Sequence, residues 1–184
     1  MVMEKFEAYV LLNITTTKRW GNLSETLWRE EGVKVYEIEG PWDAFTYFTG
    51  SFDDIKKFGA RIRRTKNVRT GEIYIVTNSI PVNHNYHEPL ALITGYAQPR
   101  YGSNEPPINI QNLLEILSNY PHMNKISAVL GGIDLLGELN GADLTEWHAA
   151  RREILKRLPP YVTIETHRII GFDGADPFDV NRLI

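Results

Sequence analysis

The sequence has no cysteine, no apolar run long enough for a membrane helix and no excess of positive charge. The lack of cysteine excludes a disulfide framework and a thiolate metal site, and it fits a cytoplasmic setting. The longest apolar runs, such as residues 9–12, are far shorter than the roughly 20 residues of a membrane helix, and the N-terminus lacks the features of a signal peptide. The net charge of −3 argues against nucleic acid as the main partner. We therefore expect a soluble, unprocessed cytoplasmic protein.

The first half of the chain shows alternating strand and helix patterns. Its 184 residues are 42% hydrophobic, which suffices for one large domain or two small ones. β-branched and aromatic residues predict strands, and apolar residues at three- and four-residue steps predict helices. The predicted segments are strand 6–15, helix 18–30, strands 33–38 and 44–49, a helix with Ser51 as N-cap and Asp54 in its first turn, and strand 71–77. This is the βαββαβ order of ferredoxin-like domains.

The second half repeats the same order. The predicted segments are strand 90–97, helix 108–119, strands 125–130 and 133–140, a helix capped by Asp143 and Glu146 that continues to Leu158, and strand 162–170. We therefore predict an α+β fold of two tandem ferredoxin-like domains packed as an internal pseudo-dimer. The predicted boundaries are a first domain at 1–78, a linker at 79–89, a second domain at 90–170 and a C-terminal tail at 171–184.

A Gly-x-x-Asp motif occurs once in each copy. Gly40 and Asp43 match Gly131 and Asp134 at an offset of 91, while the first strands match at an offset near 83. About eight residues, 100–107, are therefore extra in the second copy. A glycine can adopt positive φ where two strands reverse, and it allows close approach of another chain or a ligand. The aspartate either closes the turn by accepting backbone N–H bonds or contributes to a ligand site.

This pattern, a strand ending in Gly-x-x-Asp followed by an apolar strand, a capped helix and a closing strand, resembles the effector-binding (RAM) domain of Lrp/AsnC transcription regulators. The resemblance implies face-to-face dimers, higher oligomers, and an amino acid or similar small effector bound near the glycine-containing turn. The ligand-binding residues that it implies are Gly40, Trp42, Asp43, Gly131, Gly132 and Asp134. Mixed assembly with Lrp-type regulators is a further implied partnership.

Two features depart from the family pattern. The first strand begins almost at Met1, without the N-terminal winged helix-turn-helix that such regulators carry, so direct DNA binding is not expected. The insertion at 100–107 raises the question of whether the second copy keeps an open effector site.

The histidines offer weak alternatives. His84 and His87 in the linker could reach one metal ion, but zinc requires four ligands, and two exposed linker histidines are the simpler interpretation. His148 and His167 fall on the last helix and strand, where packing or surface roles are usual. No nucleophile triad, phosphate loop or dinucleotide motif is present, so we predict no catalytic residue, no metal and no cofactor.

A basic run and four tryptophans complete the candidate features. Residues 55–71 contain seven cations and no acid: Lys56, Lys57, Arg61, Arg63, Arg64, Lys66 and Arg69. This run is either a solvated helix face or a patch for nucleic acid or an acidic partner, including the acidic tail at 171–184. Trp20, Trp28 and Trp147 are expected in core or subunit contacts, and Trp42 as an interface anchor or a lid on an apolar ligand.

The sequence thus predicts a non-enzymatic, oligomeric protein that binds a small effector. Two alternatives stay open. One is an enzyme of the dimeric α/β-barrel type, a small oxygenase or haem-dependent enzyme acting on a small organic substrate, because the fold itself does not exclude catalysis. The other is a nucleic-acid binder that uses the basic run.

Overall fold

The computed structural model describes residues 5–15, 27, 33–82, 89–97, 109–140 and 144–172. Within them lie eight strands and three helices. The strands are β1 (Phe6–Ile14), β2 (Val35–Ile38), β3 (Ala44–Gly50), β4 (Val68–Pro81), β5 (Ala91–Ala97), β6 (Met123–Leu130), β7 (Leu135–Leu139) and β8 (Val162–Phe172). The helices are α1 (Phe52–Arg64), α2 (Ile110–Ser118) and α3 (Leu144–Leu155). The α+β class is therefore confirmed.

The described chain forms two compact units. The first contains the described residues up to Val76 together with those from Arg168 onward, and the second contains those from Thr77 to His167. The strands β4 and β8 therefore each contribute to both units. The predicted domain boundaries at 78 and 90 stay predictions.

In the first unit the hydrogen-bonded strand order is β4-β1-β3-β2-β8. The strand β1 lies between β4 and β3 and pairs antiparallel with both. Alternate residues of β1 pack toward α1, because Val10 and Leu12 share a core cluster with Phe58 and Ile62. The opposite face of the same sheet carries Tyr9 and its neighbours.

In the second unit the order is β8-β5-β7-β6-β4. Two helices, α2 and α3, cover one face of this sheet, and their apolar residues form one cluster with the strands. The unit contains β5, α2, β6, β7, α3 and β8 in chain order, which is the predicted βαββαβ order.

The helix α1 begins as the sequence predicts. Ser51 is the N-cap: its hydroxyl accepts the Asp54 N–H at 3.2 Å, and the Asp54 carboxylate accepts the Ser51 N–H at 3.1 Å. This reciprocal pair is a capping box. Its hydrogen bonds hold the pKa of Asp54 below its usual value.

Several segment ends differ from the sequence predictions. The strand β4 extends from Val68 to Pro81, so residues 79–81, predicted as linker, lie in a strand. The helix α3 ends at Leu155 rather than Leu158. Of the predicted helix 18–30 the structure describes only residue 27, which is helical and buried, and the insertion 100–107 and most of the tail lie outside the described residues. Of the helices that the structure describes, none has the length and apolarity needed to cross a membrane.

Candidate functional site

Asp43 fastens the turn between β2 and β3 to the end of β1. Its Oδ2 accepts the Ile14 N–H at 2.7 Å, and its own N–H donates to Leu12 O at 2.9 Å. Its carbonyl accepts the Ile38 N–H at 2.9 Å, which closes the turn across the two strands. The carboxylate therefore has a structural role in this unit.

Asp134 makes the same set of bonds in the second unit. Its Oδ2 accepts the Ala97 N–H at 2.7 Å, its N–H donates to Gly95 O at 3.0 Å, and its carbonyl accepts the Val129 N–H at 2.9 Å. The hydrogen-bond partners of the two aspartates on β1 and β5 differ by 83 in residue number, and their partners in the turns differ by 91. These are the two offsets read from the sequence. The two Gly-x-x-Asp turns are thus equivalent in hydrogen bonding.

The other turn residues differ between the copies. Gly40 has a φ of 142°, which favours glycine, and it is the only glycine with positive φ among the described residues. Gly131 and Gly132 are exposed without that backbone requirement. Trp42 is buried, at 7% exposure. Ligand binding at these turns stays a prediction.

A group of polar atoms that the sequence did not predict lies on the helix-covered face of the second sheet. Arg151 projects from α3, and its Nη2 donates to Ile164 O on β8 at 3.0 Å. Its Nε is buried without a hydrogen-bond partner among the described residues. A buried donor without a hydrogen-bond partner lowers the stability of the fold. An acceptor placed next to this Nε would therefore be bound favourably.

Tyr120 and Thr166 belong to the same region. Tyr120 is 2% exposed within the core cluster that contains Ile154 and Ile164. Burial raises the pKa of Tyr120 to about 12, and the nearby charge of Arg151 partly opposes this shift. Thr166, two residues beyond Ile164 on β8, has a buried Oγ1 without a hydrogen-bond partner in the described part of the chain. Arg151 and Tyr120, which interact through charge, form what we call the arginine site, and Thr166 lies two residues along β8 from the Ile164 carbonyl that Arg151 binds.

The first unit has no arginine at the equivalent position. The helices α1 and α3 begin at Phe52 and Leu144, so an offset of 92 aligns Gly59 with Arg151. A Cβ at Gly59 would lie 2.1 Å from Ile73 Cδ1, which shows that the sheet side chain already fills this space. The arginine site is therefore a feature of the second unit.

The opposite face of the second sheet carries a separate buried polar row. Thr94 Oγ1 lies 2.8 Å from His167 Nε2, and both residues are buried. Ser127 lies across β7 from Thr94, since both pair with Leu136, and its Oγ is buried. Glu138, at 5% exposure, pairs with Lys125 on β6. Opposite charges in directly paired positions are favourable.

The histidines, the basic run and the tryptophans singled out in the sequence differ in their exposure to solvent. His148 is exposed on α3, whereas His167 is buried. All seven cations of the basic run are exposed, as a solvated face requires. His84, His87, Trp20 and Trp28 lie outside the described residues, as does the side chain of Trp147. Among the residues that the structure describes, no group of three or more histidine or acidic side chains could hold a metal ion.

The sequence contained one signal for the arginine site. Trp147, Arg151, Ile154 and Leu158 recur at helical spacing, so Arg151 occupies a position on an otherwise apolar stripe. A cation in that position of a core-facing helix is unusual because charged residues are rarely buried without partners.

Comparison with known proteins gives similarity in structure only. No family model matches the chain, and no curated protein matches it. An anthrone oxidase-like protein has a TM-score of 0.57 at 10% identity, with 93% of each chain covered. A siroheme decarboxylase in complex with an iron-uroporphyrin III analogue has a TM-score of 0.61 at 8% identity, covering 94% of this chain and 73% of that one. A monooxygenase-like protein from Listeria innocua has a TM-score of 0.50 at 12% identity, covering 89% and 94%.

These similarities correct the functional prediction. The solved structures that resemble the chain are named for oxidase, decarboxylase and monooxygenase chemistry, so the interpretation as a non-enzymatic effector-binding regulator is contradicted. The resemblance to RAM domains, the oligomeric state and the predicted partners stay predictions.

An iron porphyrin requires an axial ligand such as histidine, cysteine, methionine or tyrosine. Of the histidines in the described ranges, His122 and His148 are exposed and His167 is engaged by Thr94. Among the described histidines, only His167 is therefore buried, and its Nε2 lies against Thr94 Oγ1.

Proposed function

We propose that this chain is an enzyme of the dimeric α/β-barrel type, with two ferredoxin-like copies joined as an internal pseudo-dimer, and that it acts on a small organic substrate. The observation that carries the proposal is the buried Nε of Arg151, which has no hydrogen-bond partner among the described residues. The equivalent bonds of Asp43 and Asp134 support the duplication. The names of the similar solved structures support an enzymatic role.

The arginine site is suited to stabilise a negatively charged oxygen. Because Nη2 is fixed by Ile164 O, the Nε–H of Arg151 has a defined direction before any substrate arrives. Preorganised donors of this kind stabilise charge that develops during a reaction, since they need no reorganisation in the transition state. Tyr120 is protonated at neutral pH, as a phenol is even before burial raises its pKa to about 12, and its hydroxyl is the second donor of the proposed site.

The surroundings of the arginine site indicate the class of substrate. Leu117, Ile154 and Ile164 belong to the same core cluster as Tyr120. A largely apolar molecule with one oxygen that becomes anionic matches both the apolar side chains and the donors. Enolisable aromatic ketones and phenols have this character, because loss of a proton gives an anion whose negative charge lies largely on one oxygen.

The proposed chemistry is deprotonation of such a substrate: its C–H or O–H bond breaks, the proton passes to a base in the solvent, and the electron pair stays on the enolate or phenolate, which is the form that reacts with molecular oxygen. In this chain Arg151 and Tyr120 would hold the anionic oxygen, and Thr166 would supply a third hydrogen-bonding group. The anthrone oxidase-like protein among the similar structures makes anthrone, an aromatic ketone, a reasonable first substrate.

The test is oxygen uptake by the full chain with anthrone, compared between Arg151→Met and Arg152→Met. Arg152 is the adjacent, exposed arginine of the same helix, so the two variants are matched in charge and helix position. We expect Arg151→Met to lower kcat/KM about 100- to 1,000-fold, as loss of an oxyanion donor does, and Arg152→Met to leave it unchanged. Equal activity in both variants would refute the assigned role. Absence of uptake by the unsubstituted protein would refute anthrone as a substrate.

A further inference from the structure

Three tyrosines lie side by side on the face of the first sheet that does not contact α1. Tyr9 on β1 pairs with Tyr47 on β3 and with Tyr74 on β4. Side chains in paired positions lie on the same face of a sheet at contact distance. Tyr9 is fully buried and Tyr74 is 1% exposed, so both rings are shielded from solvent.

The aromatic rings continue from this row across the sheet. The centroids of Tyr9 and Tyr47 are 5.2 Å apart, and those of Tyr9 and Phe45 are 6.5 Å apart. Phe45 in turn stacks on Tyr36, with centroids separated by 4.7 Å. These distances are within the range of direct ring contact, so the four rings form one continuous aromatic path.

The phenol of Tyr74 also has a hydrogen-bond acceptor. Its phenol donates a hydrogen bond to the Oε2 of Glu72, two residues earlier on the same strand. Glu72 is exposed, whereas the Tyr74 ring is buried. The carboxylate therefore connects a buried phenol to bulk water.

We infer that Tyr74 is a redox-active tyrosine whose oxidation is coupled to proton transfer to Glu72. A one-electron oxidant takes one electron from the Tyr74 phenol, the phenolic O–H bond breaks, and the proton forms a new O–H bond on the Glu72 carboxylate. The products are a neutral tyrosyl radical, a protonated Glu72 and the oxidant reduced by one electron. The neighbouring rings of Tyr9 and Tyr47 provide the path by which the electron leaves.

Each observed feature corresponds to a requirement of this reaction. A phenol radical cation is a very strong acid, so a hydrogen-bonded base lowers the barrier to oxidation. A buried ring is protected from coupling with a second radical, which removes exposed tyrosyl radicals quickly. Adjacent aromatic rings shorten each electron-transfer step. The inference concerns the first unit and does not depend on the arginine site or on the proposed substrate.

The experiment mixes the full chain with hexachloroiridate(IV), a one-electron oxidant, and follows the organic radical by freeze-quench electron paramagnetic resonance. The chain has nine tyrosines, so the variants are Tyr74→Phe, Glu72→Gln and, as a control in the second unit, Tyr161→Phe. Thermal unfolding of each variant checks that the fold is retained. We expect Tyr74→Phe to lose the persistent radical signal and Tyr161→Phe to keep it.

Glu72→Gln separates a redox role from a structural one. The glutamine still accepts a hydrogen bond but does not take the proton, so the radical should form more slowly while the melting temperature changes little. An undiminished persistent signal in Tyr74→Phe would refute the assignment of the radical to Tyr74. An unchanged rate of formation in Glu72→Gln would refute the proton transfer. The oxygen-uptake assay with anthrone fails or succeeds independently of both.

Discussion

The substitution Arg151→Met should remove activity without a comparable loss of stability. Removal of a structural arginine lowers the free energy of unfolding, whereas removal of an arginine that serves only function changes it little. Methionine is similar in length and flexible enough to fill the space left by the arginine stem. The change in the free energy of unfolding is the sum of two local contributions of opposite sign.

The first term is the loss of the bond between Arg151 Nη2 and Ile164 O, which is 3.0 Å long. Leaving that carbonyl without its partner costs about 1–3 kcal/mol. The second term is the removal of the buried Nε donor that has no partner in the described part of the chain. Removing an unsatisfied buried donor is favourable by about 1–3 kcal/mol, and apolar replacements of buried charges are often neutral or stabilising. The two terms nearly cancel.

We therefore expect the free energy of unfolding of Arg151→Met to lie within about 1 kcal/mol of that of the unsubstituted protein. Urea unfolding followed by circular dichroism measures it, with Arg152→Met as the control expected within about 0.5 kcal/mol. A loss of about 3 kcal/mol or more would refute the reasoning, since removal of one partner from a satisfied buried ion pair has effects of that size. Arg151 would then be a structural residue, and the arginine site would lose its basis.

Two further predictions concern the Gly-x-x-Asp turns of both units and Glu37 of β2. Asp43→Ala and Asp134→Ala should each lower the free energy of unfolding by about 1–3 kcal/mol, because each leaves a backbone N–H without its acceptor, whereas Asp53→Ala on the exposed surface of α1 should have little effect. Urea titrations test this, and a neutral result for either turn would show that its carboxylate is dispensable for the fold. Burial and, secondarily, Asp43 raise the pKa of Glu37 above 4.5. The folded state then binds this proton more tightly than the unfolded state, so the contribution of Glu37 is most favourable below pH 4.5 and declines as pH rises through the raised pKa. Glu37→Gln should flatten the stability profile over that window, and an unchanged slope in pH-dependent melting would contradict it.

Local patterns predicted the features that depend on neighbouring residues. The capping box at Ser51 and Asp54 requires only two residues three apart, and the structure contains it. The turn aspartates were found because the same motif occurs twice, although their carboxylates could not be assigned to structure or ligand until the bonds to Ile14 and Ala97 were seen.

Features that depend on distant partners were not predicted. The end of β4 is polar, with Thr77 and Asn78 exposed, so it lacks the alternation of a strand. Its partners come from far along the chain: Thr77 Oγ1 donates to Ala128 O, and the Val82 N–H donates to Asn124 O. Arg151 was likewise not predicted, because only the contact of α3 with β8 shows that its Nε is buried.

The sharing of β4 and β8 between the two units limits how the protein can be divided. A fragment ending at residue 78 would lack the stretch of β8 that pairs with Tyr36, Glu37 and Ile38. It would therefore present β2 as an open edge, which is a template for association with other strands. The two halves are thus candidates for a split-protein pair, insoluble when made separately and folded when made together.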